Sequence, residues 1–305
     1  MNLFGTVLTY TAPSANYRGE SAENRAVIQR ITRGRHEHAI ISPEAIRNAL
    51  RETLRGLGLP CNRTRLHDEE QLAVKFEEYP DADKYADDFF MGWLVAAGSA
   101  DRKKILDDLK KKKRNPDAFT FKRDSVLRMN MAVALDPYRY DTVFTQSPLN
   151  VDSPWKNADS SQLLHRETAD TAFQYPFALN LEDCSGKKKW TETLLKAIGQ
   201  LNNVAGNHAR SYFEMAPASI VVRLTDQLVA GYDTYGFQIK DERHLLPEIV
   251  EGILKGDYPG KEFFLGGKVV KDMDEKTIKD LETVGVTPDR SAQRLLEMVA
   301  NKALG

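Results

Sequence analysis

Cysteine is scarce in this sequence. Cys61 and Cys184 are the only two, far apart and outside any CxxC spacing. A disulfide scaffold and a cysteine-held zinc site are thereby disfavoured, and a reducing compartment, the cytoplasm, is expected. No apolar run approaches the ~18 residues that a membrane helix needs, so no membrane partner is expected. Residues 1–10 lack the basic start and continuous apolar stretch of a signal peptide, and none is expected. Neither sign of charge is in excess: 43 Lys and Arg face 44 Asp and Glu, for a net charge of -1. Taken whole, this is not a basic nucleic-acid binder. P-loop, GxSxG and HExxH patterns are all missing, which removes the chemistries those motifs carry.

What is there is ordinary in bulk and uneven in detail. Of 305 residues, 41% are hydrophobic and 29% charged, the make-up of a globular chain. The length suits one elaborated domain or two small ones. Residues 16–55 hold eight Lys/Arg against five Asp/Glu, residues 102–128 eleven against four, and residues 60–101 four against ten. A locally basic surface can bind phosphate at a net charge near zero. Random variation over solvated surfaces would give the same counts.

Hydrophobic periodicity sets out the elements. Residues 3–11 read as a strand, and 12–41 as a long polar connection. Ser42 as N-cap, Pro43 at the first helical position and Glu44 beside the positive helix end then start a helix. Its buried face is Ile46, Ala49, Leu50, Leu54 and Leu57, and Gly56, Gly58 and Pro60 end it. Residues 60–125 read as a mostly helical insertion. Leu127, Met129, Met131, Val133 and Leu135 alternate as a half-buried strand, as do Phe173, Tyr175, Phe177, Leu179 and Leu181. These two strands are expected to form a hairpin whose tip is the polar 136–169 segment. A helix over 190–204 and a strand over 217–225 follow. After Gly236 the chain reads as helical, with pieces near 243–255, 274–283 and 288–303. Without the insertions the order is strand, helix, strand, strand, helix, strand. That is the βαββαβ plan of ferredoxin-like and RNA-recognition domains, an α+β fold. The plan alone hosts many functions.

The sharpest local feature is Arg33-Gly34-Arg35 followed by the helix from Ser42. Arg47, Arg51 and Arg55 recur at four-residue steps on one face, apart from the apolar face. A cationic stripe beside a helix N-terminus suits a phosphodiester backbone. A solvated face with Arg/Glu pairing is the alternative. His36-x-His38 reads as a surface pair rather than metal ligands, because no carboxylates stand at ligand spacing. Asp87-Asp88 are expected on a solvated acidic helix. The run Lys110 to Arg114 is a solvated helix end or a contact with target DNA or a neighbouring subunit.

With these residues in view, the sequence resembles a known family. Ala12-Pro13-Ser14-Ala15-Asn16-Tyr17-Arg18, the Arg33-Gly34-Arg35 cluster and Ile41-Ser42…Arg47-Asn48-Ala49-Leu50-Arg51 resemble the N-terminal third of the CRISPR Cascade backbone subunit, the Cas seven family. The similarity points to its type I-B, DevR autoregulator-like branch. Trp190 to Ile198, Val204 to Arg210 and Met215 to Ile220 resemble that branch too. The resemblance implies an RNA-recognition-like palm, a helical fingers insertion and a hairpin thumb; the helical C-terminal region, to which the resemblance adds little, is expected to pack on the palm. On this chain the palm is 1–59, 126–137 and 169–225, the fingers 60–125, the thumb 138–168 and the C-terminal region 226–305. It also implies copies that polymerise along one CRISPR RNA beside other Cascade subunits, meet target DNA through the guide, and need no cofactor. Guide contacts then fall on Asn16, Arg18, Arg33, Arg35, Ser42, Arg47, Asn48 and Arg51, with His208 and Arg210 as further candidates. Leu149, Val151 and Trp155 become the thumb wedge at a displaced nucleotide, or Trp155 an anchor on the next palm.

Type III relatives cut RNA with an Asp in the loop before the first palm helix. This sequence has no Asp before Asp68, so the resemblance implies a non-catalytic subunit. A duplex-DNA-binding autoregulator and a metal-dependent ribonuclease are the competing readings. A missing helix-turn-helix pair counts against the first, and the missing Asp against the second. The arginine-rich 12–41 stretch, with few apolar anchors, is expected to order only on RNA.

Overall fold

The computed structural model describes residues 1–15, 21–22, 25–65, 74–146, 163–202 and 215–305. The elements that position the site run in chain order as follows. Four strands come first, β1 (Asn2–Leu8), β2 (Ala12–Ala15), β3 (Arg30–Arg33) and β4 (His36–Ile41), then helices α1 (Pro43–Gly56), α2 (Ala86–Met91) and α3 (Ser99–Lys111). Strands β5 (Arg128–Met129), β6 (Ala132–Ala134), β7 (Asp141–Gln146), β8 (Leu163–Thr171) and β9 (Phe173–Asn180) come next. They are followed by α4 (Lys188–Gly199), β10 (Ser219–Thr225), α5 (Pro247–Lys255), β11 (Phe263–Gly267), α6 (Lys268–Lys271), α7 (Glu275–Thr283), β12 (Thr287–Asp289) and α8 (Ala292–Leu304).

One large sheet organises them, in the order β12-β11-β10-β1-β9-β6-β4-β3, with β5 also paired to β9. All of its pairings are antiparallel except β11 with β12. The six expected elements are present in the expected order, and the hairpin of 127–135 with 170–181 is formed. Strand alternation decides what each face carries. Phe173, Tyr175, Phe177 and Leu179 join Leu3, Val7, Ile220 and Val222 on the face covered by α1, α4 and α8. Val221, Phe263 and Leu265 point the other way, under α5 and α7, with Phe237, Ile249, Ile253, Ile278 and Leu281.

Pro176 sits in β9, in the middle of the sheet. It has no N–H to give. Its carbonyl accepts from Asn130 N at 3.3 Å, so the missing donor faces the β5–β6 edge. There the partner chain bulges: Met129 pairs with Phe177 and Val133 with Gln174, so three residues face two.

Several expectations need correction. The 12–41 stretch, where described, is not a structureless connection. β2 pairs with β8, and β3 and β4 form a hairpin that extends the large sheet through β6. Gly34, at φ +64°, makes its two-residue turn. Ile28 N donates to the buried Glu167 carboxylate at 3.0 Å, and Arg30 lies 3.8 Å from it. Protein groups thus hold this segment. The 60–125 region is not mostly helical, since short strand pairs at 63–65 with 74–76 and 93–94 with 122–123 accompany α2 and α3. Nor is the C-terminal region only helices packed on a sheet. It adds β11 and β12 to the sheet itself. Phe263-Phe264-Leu265 is a run buried on both faces, which periodicity cannot tell from a helix turn.

Candidate nucleic-acid interface

The first helix begins as its sequence dictates. Ser42, in extended conformation, accepts from Ala45 N at 3.2 Å. Its hydroxyl is thus the cap of α1, and Glu44 lies in the first turn.

One turn on, Arg47 has few partners. It is half-buried, its Nη2 is 3.5 Å from the Leu127 carbonyl, and its buried Nε has no hydrogen bond. No carboxylate among the described residues reaches it. Burial lowers its pKa, opposed by the field of Glu44 and reinforced by the neighbouring cations Arg128 and Arg63. The group stays charged at neutral pH. A half-desolvated guanidinium without a carboxylate is costly unless an anion arrives.

Arg51 and Arg55 differ from it, and the expectation of a solvent-facing stripe is corrected here. Arg51 is 4% exposed. Its Nε donates to Asp87 Oδ2 at 3.1 Å and its Nη1 to Asn48 Oδ1 at 2.8 Å. Burial, then the cation Arg63, pulls its pKa down to about 10, against the pull of Asp87. Arg55 pairs with Glu52 at 3.0 Å and donates to the Arg63 carbonyl at 2.7 Å. The stripe faces the 60–125 region, not solvent. Sequence could not show this, because the carboxylate that turns Arg51 inward, Asp87, lies 36 residues further along the chain.

Asp87 and Asp88 are likewise not solvated; both are fully buried. Asp87 accepts from Asn62 N at 2.7 Å, Arg63 N at 3.0 Å and Arg63 Nε at 3.2 Å. Asp88 accepts from Asn62 Nδ2 at 2.8 Å and Asp81 N at 2.9 Å, and burial raises its pKa. The acidic pair is an internal lock between α1 and α2. In the basic run, Arg114 turns inward to Asp81 at 3.0 Å and the Tyr79 carbonyl at 3.1 Å, while Lys111 and Lys113 are exposed.

Arg33 and Arg35 are exposed at the tip of the β3–β4 hairpin. The Arg33 guanidinium lies over the Tyr235 ring at 5.5 Å, and Tyr235 donates to the Met131 carbonyl at 2.8 Å. His36 is exposed, but His38 is buried with Nδ1 2.9 Å from the Ala134 carbonyl, so the two do not converge on a metal. Among the described residues no group of three His, Cys, Asp or Glu is placed to hold a metal ion.

Sequence reasoning missed Arg128, which is exposed on β5 and electrostatically coupled to Arg47. The signal was present: if Leu127, Met129 and Met131 point inward, Arg128 and Asn130 point outward. Ser42, Arg47 and Asn48 thus lie on the first turns of α1, the field of Arg128 reaches Arg47 from the other face of the sheet, and Arg33 and Arg35 stand on the β3–β4 hairpin. Asn16, Arg18, Leu149, Val151, Trp155, His208 and Arg210 lie outside the described residues.

No helix of the described chain is long and apolar enough to cross a membrane. No family model matches the sequence. A curated relative from Myxococcus xanthus (strain DK1622), named CRISPR-associated protein Cas7/Cst2/DevR, is 30% identical over 315 aligned residues and 98% of each chain. Two solved chains share the fold. One, from a CRISPR RNA-guided surveillance complex, has a TM-score of 0.58 at 12% identity, over 99% of this chain and 100% of that one. The other, from such a complex described as pre-nicking, has a TM-score of 0.59 at 13% identity with the same coverage.

Proposed function

Because the chain belongs to the Cas7/Cst2/DevR family of CRISPR-associated proteins, we propose that it is a guide-RNA-binding backbone subunit of a Cascade-type surveillance complex. Copies polymerise along one CRISPR RNA, beside other subunits, and present the guide for pairing with target DNA. The work is done in the cytoplasm and is non-catalytic.

The observation that carries this reading is Arg47: a half-buried guanidinium near the start of α1, within the field of Arg128, with no carboxylate paired to it among the described residues. Such a group takes a phosphate oxygen and gives no base preference. Asn48 supports it. Arginine only donates, so the Asn48 atom facing Arg51 is the oxygen, and the amide N–H donors are left for a ligand. Ser42, Arg33 and Arg35 complete the described guide contacts, and Asn16, Arg18, His208 and Arg210 are further contacts of the same reading. Arg51 enters as the brace of Asn48 and not as a phosphate contact.

In this reading β1, α1, β5 with β6, β9, α4 and β10 are an RNA-recognition-like palm. Residues 60–125 are fingers, 138–168 a thumb with Leu149, Val151 and Trp155 as its wedge, and 226–305 a C-terminal region integrated into the palm. The test is expression followed by native mass measurement. The expected result is a large assembly that carries RNA of one length. A monomer free of RNA that shifts its own promoter DNA, or that cuts RNA with magnesium present, would sink the proposal.

A further inference from the structure

Among the described residues, the large sheet carries an open hollow on one face. On the side away from α1 and α4, strand register brings Arg223, Phe4, Ala178 and Arg128 into one row across β10, β1, β9 and β5. Thr6 and Pro176 stand in the next row. Over most of this side α5, α7 and the 230–245 segment close the sheet. They stop short of Phe4. There, a hollow of about 350 Å³ is lined by Phe4, Pro176, Ala178, Arg128, Asn130 and Thr234. That volume is at the small end of ligand pockets, enough for one flat ring.

Its chemistry is specific. The floor is an aromatic ring, a proline and a methyl group, held on sheet strands and so pre-formed. The bulge opposite Pro176 makes one wall. Asn130 lies in it, and its Oδ1 accepts from Met131 N at 2.8 Å, which leaves both amide N–H groups outward. Arg128, at the mouth, is exposed and has no ion pair among the described residues. The other arginine in the row is spent: Arg223 Nε donates to Glu262 at 2.8 Å and Nη1 to the Ala230 carbonyl at 2.7 Å. The hollow therefore offers a stacking surface, neutral donors and one uncommitted positive charge, and among the described residues no carboxylate lines it.

Its position is as informative. Arg128 is one of two cations, with Arg63, whose field reaches Arg47. From Asn130 the neighbouring Met131 carbonyl holds Tyr235, and Arg33 lies over that ring. The hollow thus sits between the α1 cations and the hairpin cations.

We propose that this hollow takes one nucleobase of single-stranded RNA, stacked on Phe4, with Asn130 donating to its acceptor edge and Arg128 to an adjoining phosphate. It rests on the RNA-binding reading above. Stacking on an aromatic floor tolerates any base, so it would add affinity without sequence preference.

The test uses the full chain with its co-purified RNA. Ultraviolet irradiation followed by mass spectrometry of nucleotide adducts is expected to find a base on Phe4. Free protein is then titrated with a single-stranded oligouridine. Phe4→Leu keeps the apolar bulk and is expected to lose roughly 5- to 100-fold in affinity with an unchanged salt slope. Arg128→Ala is expected to flatten that slope by about one. Should Phe4→Leu fail to fold, Asn130→Ala, exposed and outside the core, carries the affinity test. Bound RNA with adducts only elsewhere, and affinity unmoved by Phe4→Leu and Asn130→Ala, overturns this site while RNA binding stands. A parent protein that binds no RNA overturns both.

Discussion

Arg47 and Arg51 are one helical turn apart and have the same side chain, so substituting each separates ligand binding from stability. Arg47→Ala removes a cation with one weak internal partner. It should weaken RNA binding alike for all sequences and reduce the salt slope by about one, with little change in thermal stability. Filter binding across a salt series reads this; an unchanged slope would remove Arg47 from the interface. Arg51→Ala instead removes one of the two cations paired with the fully buried Asp87 and leaves Arg63 as its partner. Stranding a buried charge outright costs about 3–5 kcal/mol, so with Arg63 retained the loss should be smaller than that, and denaturant midpoints should fall even without RNA. His244 gives a further residue-scale prediction. It is buried, with Nδ1 2.8 Å from Ser219 Oγ, and burial, then Lys268, lowers its pKa to about 4 from 6.5, against the pull of Asp272. Below pH 6.5 the unfolded chain takes up a proton that the folded one refuses. Stability should therefore fall as pH drops from about 6.5 to 4, by up to about 3 kcal/mol. Urea unfolding of the parent and His244→Gln at pH 7 and pH 5 checks it; equal pH dependence of the two would clear His244.

At the scale of elements, the hairpin that carries the 147–162 segment is rooted more deeply than its polar sequence suggests. β8 pairs with β7, with β2 and with residues 25–26, and it supplies Glu167 to Ile28. Replacing the whole of 138–168 by a short turn would remove β7, the pairing with residues 25–26 and the Glu167 acceptor of Ile28, while Ala169, Asp170 and Thr171 would still pair with β2; residues 25–30 should then lose their anchors. A Gly/Ser turn in place of 147–162 alone should keep a cooperative thermal transition and lose assembly on RNA. Normal assembly of that variant would show that the thumb lies elsewhere. The hairpin, α1 and its cap were legible because their signals are local: alternation, an N-cap and a proline. β11 and β12 were not, since a doubly buried run has no period. The inward turn of Arg51 was hidden for another reason. Its partner Asp87 is 36 positions away, and an acidic pair among acidic neighbours reads as surface. Arg128 was legible by alternation, yet the strand was read for its apolar side only.

For the molecule as a whole, the C-terminal residues are part of the main sheet and of both its coverings. α8 shields α4 and β11, while α5 and α7 close the far face. A chain ended after Thr225 should therefore be insoluble or fail to melt cooperatively, and a sharp transition in that fragment would contradict the integrated core. The order of the large sheet also has a consequence in time. β1 is made before both its neighbours and lies between β9 and β10, with Leu8 opposite both Gln174 and Ser219. A ribosome adding roughly 5–20 residues per second needs roughly 10–40 s to make those partners. Until β9 is made an apolar strand waits beside the exit tunnel with both edges open, and one edge stays open until β10 follows. Nascent chains stalled before β10 should be open to protease and held by chaperones. The RNA cannot meet a finished floor at Phe4 until β10 has been made.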